Sequence, residues 1–135
     1  MNTRGLLPRA RGVAAMATLV VGSTALPAAG SSHIVDVVWS EAGRFEHSAM
    51  VPAGRFIELC GKLAAGDRIR WAFDAAVPMD FNIHYHVGKE TVFPAKQSQV
   101  VIGGELLQVG VTEHHCWMWT NRSSNAALLR VMLQR

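Results

Sequence analysis

His84 and His86 stand two residues apart in the run "DFNIHYHVGKE", Asp80 to Glu90, which ends on a carboxylate. Neutral imidazole ligates zinc, copper, iron and nickel, and a carboxylate adds a hard oxygen donor. The run alternates like a β-strand, with Phe81, Ile83, Tyr85 and Val87 on one side and Asn82, His84 and His86 on the other. Two imidazoles at i and i+2 of a strand stand roughly 6.5–7 Å apart at Cα, close enough for both rings to turn to one ion. The plainer reading is an outer strand face on which histidine replaces threonine or lysine.

A second run, "TEHHCWMWTN" from Thr112 to Asn121, separates in the same way. His115, Trp117 and Trp119 share one side; His114, Cys116 and Met118 share the other. Two tryptophans bury more apolar surface than Cys and Met, which turns them inward and sends His114, Cys116 and Met118 outward. If the two strands are neighbours, His84, His86 and His114 gather on one surface with soft sulfur, with Met118 as a weak ligand and Glu90 as a carboxylate or supporting group. Nitrogen with soft sulfur favours copper, Cu(I) first, and zinc second. The opposite arrangement puts Cys116 and Met118 in the core, Cys116 in a disulfide, and leaves the tryptophans at a rim.

The other polar features are weaker. His33 lies near the N-terminal side of the first strand, and His47 alternates with apolar residues as a half-buried histidine does. Met50, Met79 and Met132 form no methionine-rich run, and Arg68 and Arg70 make a short solvated stripe. No glycine-rich phosphate loop is present, and no serine or cysteine sits in a recognisable nucleophile setting.

The elements that must position these groups are strands. "IVDVVW", "RFEHSAMV", "RFIELC", "RIRWAFD", "DFNIHYHV", "QSQVVI", "ELLQVGV", "HHCWMWT" and "ALLRVML" are short alternating or apolar runs. Between them lie the turn signals "VPAG", "GKLAAGD", Gly103–Gly104 and "NRSSN". No segment of this part carries a helical stripe. The pattern predicts an all-β fold, an antiparallel β-sandwich of about eight short strands in the jelly-roll manner.

The first thirty residues read as a signal peptide. Arg4, Arg9 and Arg11 precede the apolar stretch Val13 to Leu26, and Ala28 and Gly30 suit a cleavage site after Gly30. The stretch falls short of the ~20 apolar residues that span a membrane. Residues 1–30 are thus expected to be removed and 31–135 to fold as one domain, periplasmic or secreted, without a membrane span. The chain has 13 Lys and Arg against 10 Asp and Glu, and three of the arginines lie in the leader. The mature part is therefore formally neutral, which gives no electrostatic footprint for nucleic acid. Exported cysteines pair more often than not, so Cys60 and Cys116 are expected in a disulfide; free thiols and a thiolate ligand are the alternatives.

The segments "ELCGKLAAGDRIRWAFDA", "MDFNIHYHVGKETVFP" and "CWMWTNRSSNAALLRVMLQR" resemble the GOLD (Golgi-dynamics) β-sandwich, the luminal domain of early-secretory cargo receptors. The shared pattern is a Gly-polar turn at Gly66–Asp67, an apolar strand at Ile69–Phe73, Asp80–Ile83, a turn at Gly88–Lys89, and Cys116–Asn121. The resemblance implies a β-sandwich and a disulfide where Cys60 and Cys116 fall. It does not carry cargo-receptor function, since the coiled coil and anchor of those receptors are missing and the histidines are not required by the family. "HYHVGKE" is similar to the H-x-H-x3-E piece of cupins, which implies a metal on His84, His86, Glu90 and a later histidine such as His114; the second cupin motif is missing. Cupredoxins place a histidine after the ligand cysteine, and none follows Cys116. The sequence thus predicts a non-enzymatic exported sandwich that binds copper or zinc for sequestration or transfer. A metal-free module with a periplasmic protein partner is the rival, and a cupin-type metalloenzyme the third reading.

Overall fold

The computed structural model describes residues 33–135. The expected signal peptide, residues 1–30, lies outside the described residues. Seven strands follow one another: β1 His33–Asp36, β2 Arg44–Val51, β3 Phe56–Leu63, β4 Arg68–Val87, β5 Glu90–Gln108, β6 Glu113–Asn121 and β7 Ala127–Gln134. Among the described residues there is no helix. The strands form one sheet in the order β1-β3-β6-β4-β7-β2, and β5 pairs with β4.

The fold is all-β and sandwich-like, because this sheet curls on itself. β4 pairs with β7 through Arg70–Ala75 and then with β6 through Met79–Tyr85, so one strand belongs to two layers. The change of partner occurs at Ala76, Val77 and Pro78, where register slips between Asp74 and Met79. Pro78 has no N–H to give a ladder, which suits the point where the pairing breaks. The concave faces then meet: Phe73 of the β7 side and Trp119 of the β6 side pack edge to face at 5.4 Å between centroids. Leu59, Ile69, Trp71, Phe81, Ile83, Trp117, Leu129 and Leu133 complete the buried core. Each such side chain taken from water contributes roughly 1.5–3 kcal/mol.

The expected all-β, sandwich-like fold is borne out, with three details to add. There are seven strands, against about eight expected, since "RIRWAFD" and "DFNIHYHV" are the two halves of β4, 20 residues long. "QSQVVI" and most of "ELLQVGV" likewise lie within the 19-residue β5. The sheet is mixed rather than purely antiparallel, because β1 runs parallel to β3 from His33↔Ile57 to Asp36↔Cys60. Gly103–Gly104 is not a turn but the middle of β5. A Cβ built on Gly103 would stand 2.5 Å from Phe73 Cε1, and one on Gly104 3.0 Å from the Trp71 carbonyl oxygen. The glycines let β5 lie against the aromatic residues of β4 rather than reverse the chain.

Two local devices fix the region around the histidines. Gly88 and Lys89 close the β4–β5 hairpin, with Gly88 at φ 59°, in the first central position where a type II′ turn takes glycine. Farther along β5, Gln99 has φ 54° at a register break opposite Met79 and Phe81. Its backbone N–H and side-chain amide both donate to Asp80 Oδ1, at 3.2 and 2.9 Å, and hold the bulge in place.

Candidate functional site

The strand faces divide as alternation predicts. Trp117, Trp119, His115, Phe81 and Ile83 are buried inside, while His114, Cys116, Met118, Asn82 and His86 belong to the outer face. β3, β6 and β4 lie side by side, so residues opposed in register stand in rows across them. One row is Cys60, Cys116 and His84; the next is Glu58, Met118 and Asn82. β5 flanks β4 on its other edge and brings Phe93 to within 6.0 Å of the His84 ring.

Cys60 and Cys116 form a disulfide across 56 positions of sequence, with their Cα atoms 4.1 Å apart. They are directly opposed on neighbouring antiparallel strands, which is why the side chains meet without a loop between them. The bond lies on the outer face, half-buried at both ends. Glu58 Oε2 is 3.9 Å from Cys60 Sγ, a contact rather than a hydrogen bond, since a disulfide sulfur carries no proton.

His84 is the buried member of the histidine pair, 7 % exposed, between Cys116 on β6 and Phe93 on β5. Its Nδ1 stands 2.8 Å from Asn82 Oδ1, which only accepts, so the proton sits on Nδ1 and Nε2 keeps its lone pair. Burial lowers the His84 pKa from its ordinary value; Glu58 nearby raises it and His86 lowers it. His86 is exposed, with its ring 5.4 Å from that of His84 and Thr91 Oγ1 3.2 Å from its Nδ1.

A groove of about 500 Å³ runs over this face. His84, His86 and Phe93 line one end, Met118 and Glu58 its floor, and Asp80 and Arg122 the other end. Arg122 Nε donates to Asp80 Oδ2 at 2.8 Å, and that bond and those from Gln99 hold the Asp80 carboxyl below its ordinary pKa. Arg122 is delivered by the loop after β6, which Asn121 organises. Its buried amide donates to the Val51 and Asn125 carbonyls, and its oxygen accepts from Ser123.

The expected ligands are thus only partly brought together. His84, His86 and Met118 share the groove. His114 is opposite Lys62 on the β3 side, and the β4–β6 pairing ends one residue before it would face His86. Glu90 pairs with Val87 and takes that residue's side of the hairpin, away from His84 and His86. Among the described residues, one group of three or more His, Cys, Asp or Glu donors lies within 4.8 Å of one another, and it is Glu58, His84 and Cys116. Sequence reading passed over Glu58. Its position two residues before Cys60, in a strand whose alternate residues Ile57 and Leu59 are apolar, was the signal that it points outward. Phe93, Lys96 and Arg122 reach the groove from β5 and from the loop after β6, where periodicity says nothing about direction.

No family model matches the chain, and no curated protein matches it. Solved structures of similar fold include three forms of PliG, each described as a periplasmic lysozyme inhibitor of g-type lysozyme. The PliG of Aeromonas hydrophila is 13 % identical, with a TM-score of 0.50 over 78 % of this chain and 100 % of that one. A mutant of the Escherichia coli PliG is 9 % identical, with a TM-score of 0.54 over 77 % and 98 %. The Salmonella Typhimurium PliG is 12 % identical, with a TM-score of 0.52 over 77 % and 98 %. At these identities the likeness is one of fold.

Proposed function

We propose that this chain is an exported, non-catalytic protein-binding module that acts by seating part of a partner protein on its outer β3-β6-β4 face. The observation that carries this reading is the groove of about 500 Å³, which mixes apolar Phe93 and Met118 with hydrogen-bonding His84 and His86 and balances Lys96 and Arg122 against Glu58 and Asp80. Interface cores are built this way, from aromatic and methionine side chains with a few fixed polar groups. Phe93, 46 % exposed, leaves apolar surface open to a partner at the hairpin end of the groove. Cys60 and Cys116, on the same face, are joined in a disulfide. Fold likeness to PliG along almost the whole of that protein supports inhibition of another protein as the mode of action, with a lysozyme as the first partner to try. The disulfide and the leader-like sequence support export. The GOLD resemblance rests on sequence motifs alone, and no family model matches the chain.

The test is lysis of a cell-wall suspension by g-, c- and i-type lysozymes with purified chain added at equimolar amounts. Stoichiometric loss of lysis for one type, relieved by Phe93→Asp, is the expected result. Unchanged lysis by all three, with no complex on size exclusion, would remove lysozyme as the partner.

A second reading rests on the 5.4 Å between the His84 and His86 rings with Met118 in the same groove. These donors suit copper, then zinc. Metal analysis of protein purified without a histidine tag tests it: one equivalent of copper, lost in His86→Ala, supports it, and metal-free protein opposes it.

A further inference from the structure

We propose that the Cys60–Cys116 bond masks a zinc site. When a dithiol reductant opens the bond, the two thiolates, the His84 imidazole and the Glu58 carboxylate take one Zn²⁺. The inference is independent of the partner reading above. It starts from register. Cys60 opposes Cys116, and Cys116 opposes His84, so three ligand side chains stand in one row over three neighbouring strands. Glu58 precedes Cys60 by two residues and shares its face.

The distances suit closure around an ion. Donor atoms of Glu58, His84 and Cys116 already lie within 4.8 Å of one another, and Cys60 Sγ is 3.9 Å from Glu58 Oε2. Tetrahedral zinc with sulfur at about 2.3 Å and nitrogen or oxygen at about 2.0–2.1 Å sets its donors roughly 3.3–3.8 Å apart. Contraction by about 1 Å at Glu58 and separation of the two sulfurs by side-chain rotation would meet that requirement. Two thiolates, one imidazole and one carboxylate are all ligand types that zinc accepts. The acceptor Asn82 Oδ1 orients the ring and leaves His84 Nε2 as the nitrogen able to bind, which is the supporting contact that ligating histidines ordinarily have. His84 and Glu58 line the groove, His84 is buried, and Cys60 and Cys116 are half-buried on the same face, so the site is reachable without being flooded.

The chemistry balances in two steps. A dithiol passes two electrons and two protons to the disulfide and becomes a disulfide itself, leaving two protein thiols. Zn²⁺ then displaces the two thiol protons and binds the thiolates. A small-molecule disulfide reverses both steps: it takes two electrons from the thiolates and two protons from solvent, becomes two thiols, re-forms the Cys60–Cys116 bond and so releases the ion.

The test uses the purified chain without a tag, oxidised or reduced with a dithiol that is then removed under anaerobic conditions. Co²⁺ alone is the spectroscopic probe. The reduced chain is expected to bind one equivalent, with near-ultraviolet thiolate-to-cobalt absorption and the visible bands of a tetrahedral site, and Zn²⁺ should displace it. The oxidised chain should show neither. His84→Gln and Glu58→Gln should each weaken Zn²⁺ binding about tenfold or more. Three results overturn the proposal. One is a reduced, folded chain without cobalt–thiolate bands. Another is affinity unchanged in both variants, which leaves only a dithiol. The third is a reduced chain that loses its β-sheet circular dichroism and does not regain it with Zn²⁺.

Discussion

Reducing Cys60–Cys116 should cost this domain most of its margin of stability. The bond closes a segment of 56 residues that contains the whole β4–β5 hairpin. In the chain-entropy account the cross-link removes about 14 cal/mol/K from the unfolded ensemble for a loop of this length, or about 4 kcal/mol at 25 °C. A domain of this size unfolds with ~0.2 kcal/mol/K of entropy at its midpoint, so the same loss lowers Tm by roughly 18 °C. The assay is urea and thermal unfolding followed by tryptophan fluorescence, with and without a dithiol. Trp117 and Trp119 are buried beside the bond on β6 and report on the packing that depends on it. The slope of the urea transition should also steepen on reduction, since the reduced unfolded chain exposes more surface. A fall of less than about 1 kcal/mol would refute the reasoning, because it would mean that the unfolded chain already holds these strands together. Zn²⁺ at a hundredfold excess over its Kd should return about 2.7 kcal/mol to the reduced chain.

Three further perturbations follow. Gly103→Ala sets a methyl 2.5 Å from the Phe73 ring and should destabilise by about 1–3 kcal/mol in urea unfolding, with Phe73→Leu in the same chain restoring part of the loss. Asn121→Ala strands the Val51 carbonyl and frees Ser123, and should lose about 2–3 kcal/mol while detaching Arg122 from Asp80, visible as faster amide exchange at Ser123. Stability should also fall with pH in two stages. Burial holds His47 and His84 below their ordinary value of 6.5, so as pH drops below it the unfolded chain takes up protons that the native chain resists; their contribution is full above 6.5 and is lost as pH falls through the lower folded values. Asp80, held below its ordinary 3.8 by Arg122 and then Gln99, keeps its contribution above 3.8 and loses it at still lower pH. Melts at pH 7.5, 5.5 and 3 check both stages, and His47→Gln should remove part of the first.

Much of the fold could be read from alternation alone. The inward tryptophans of β6, the inward Phe81 and Ile83 of β4 and the outward Cys116, Met118 and His84 all follow from period two and from the cost of exposing an indole. What could not be read was continuity. "AAVP" looks like a stop, yet it is where β4 bends and changes neighbours, and Gly103–Gly104 looks like a turn, yet it is where β5 leans on Phe73. Both are tertiary facts, fixed by partners far along the chain. The site suffered in the same way. Face was legible, but register was not, so which outward groups converge could not be read, and Glu58 went unnoticed two residues from Cys60.

That β4 and β5 run through both layers has a mechanical consequence. Neither layer owns its own border: the same two strands finish one and begin the other, so there is no seam along which half the molecule can peel away. Amide protection in the two paired halves of β4, Arg70–Ala75 and Met79–Tyr85, should therefore be lost together in a single event. A partner gripping the hairpin tip, or an ion drawing Glu58 toward His84, pulls on a continuous band that reaches the far side of the molecule.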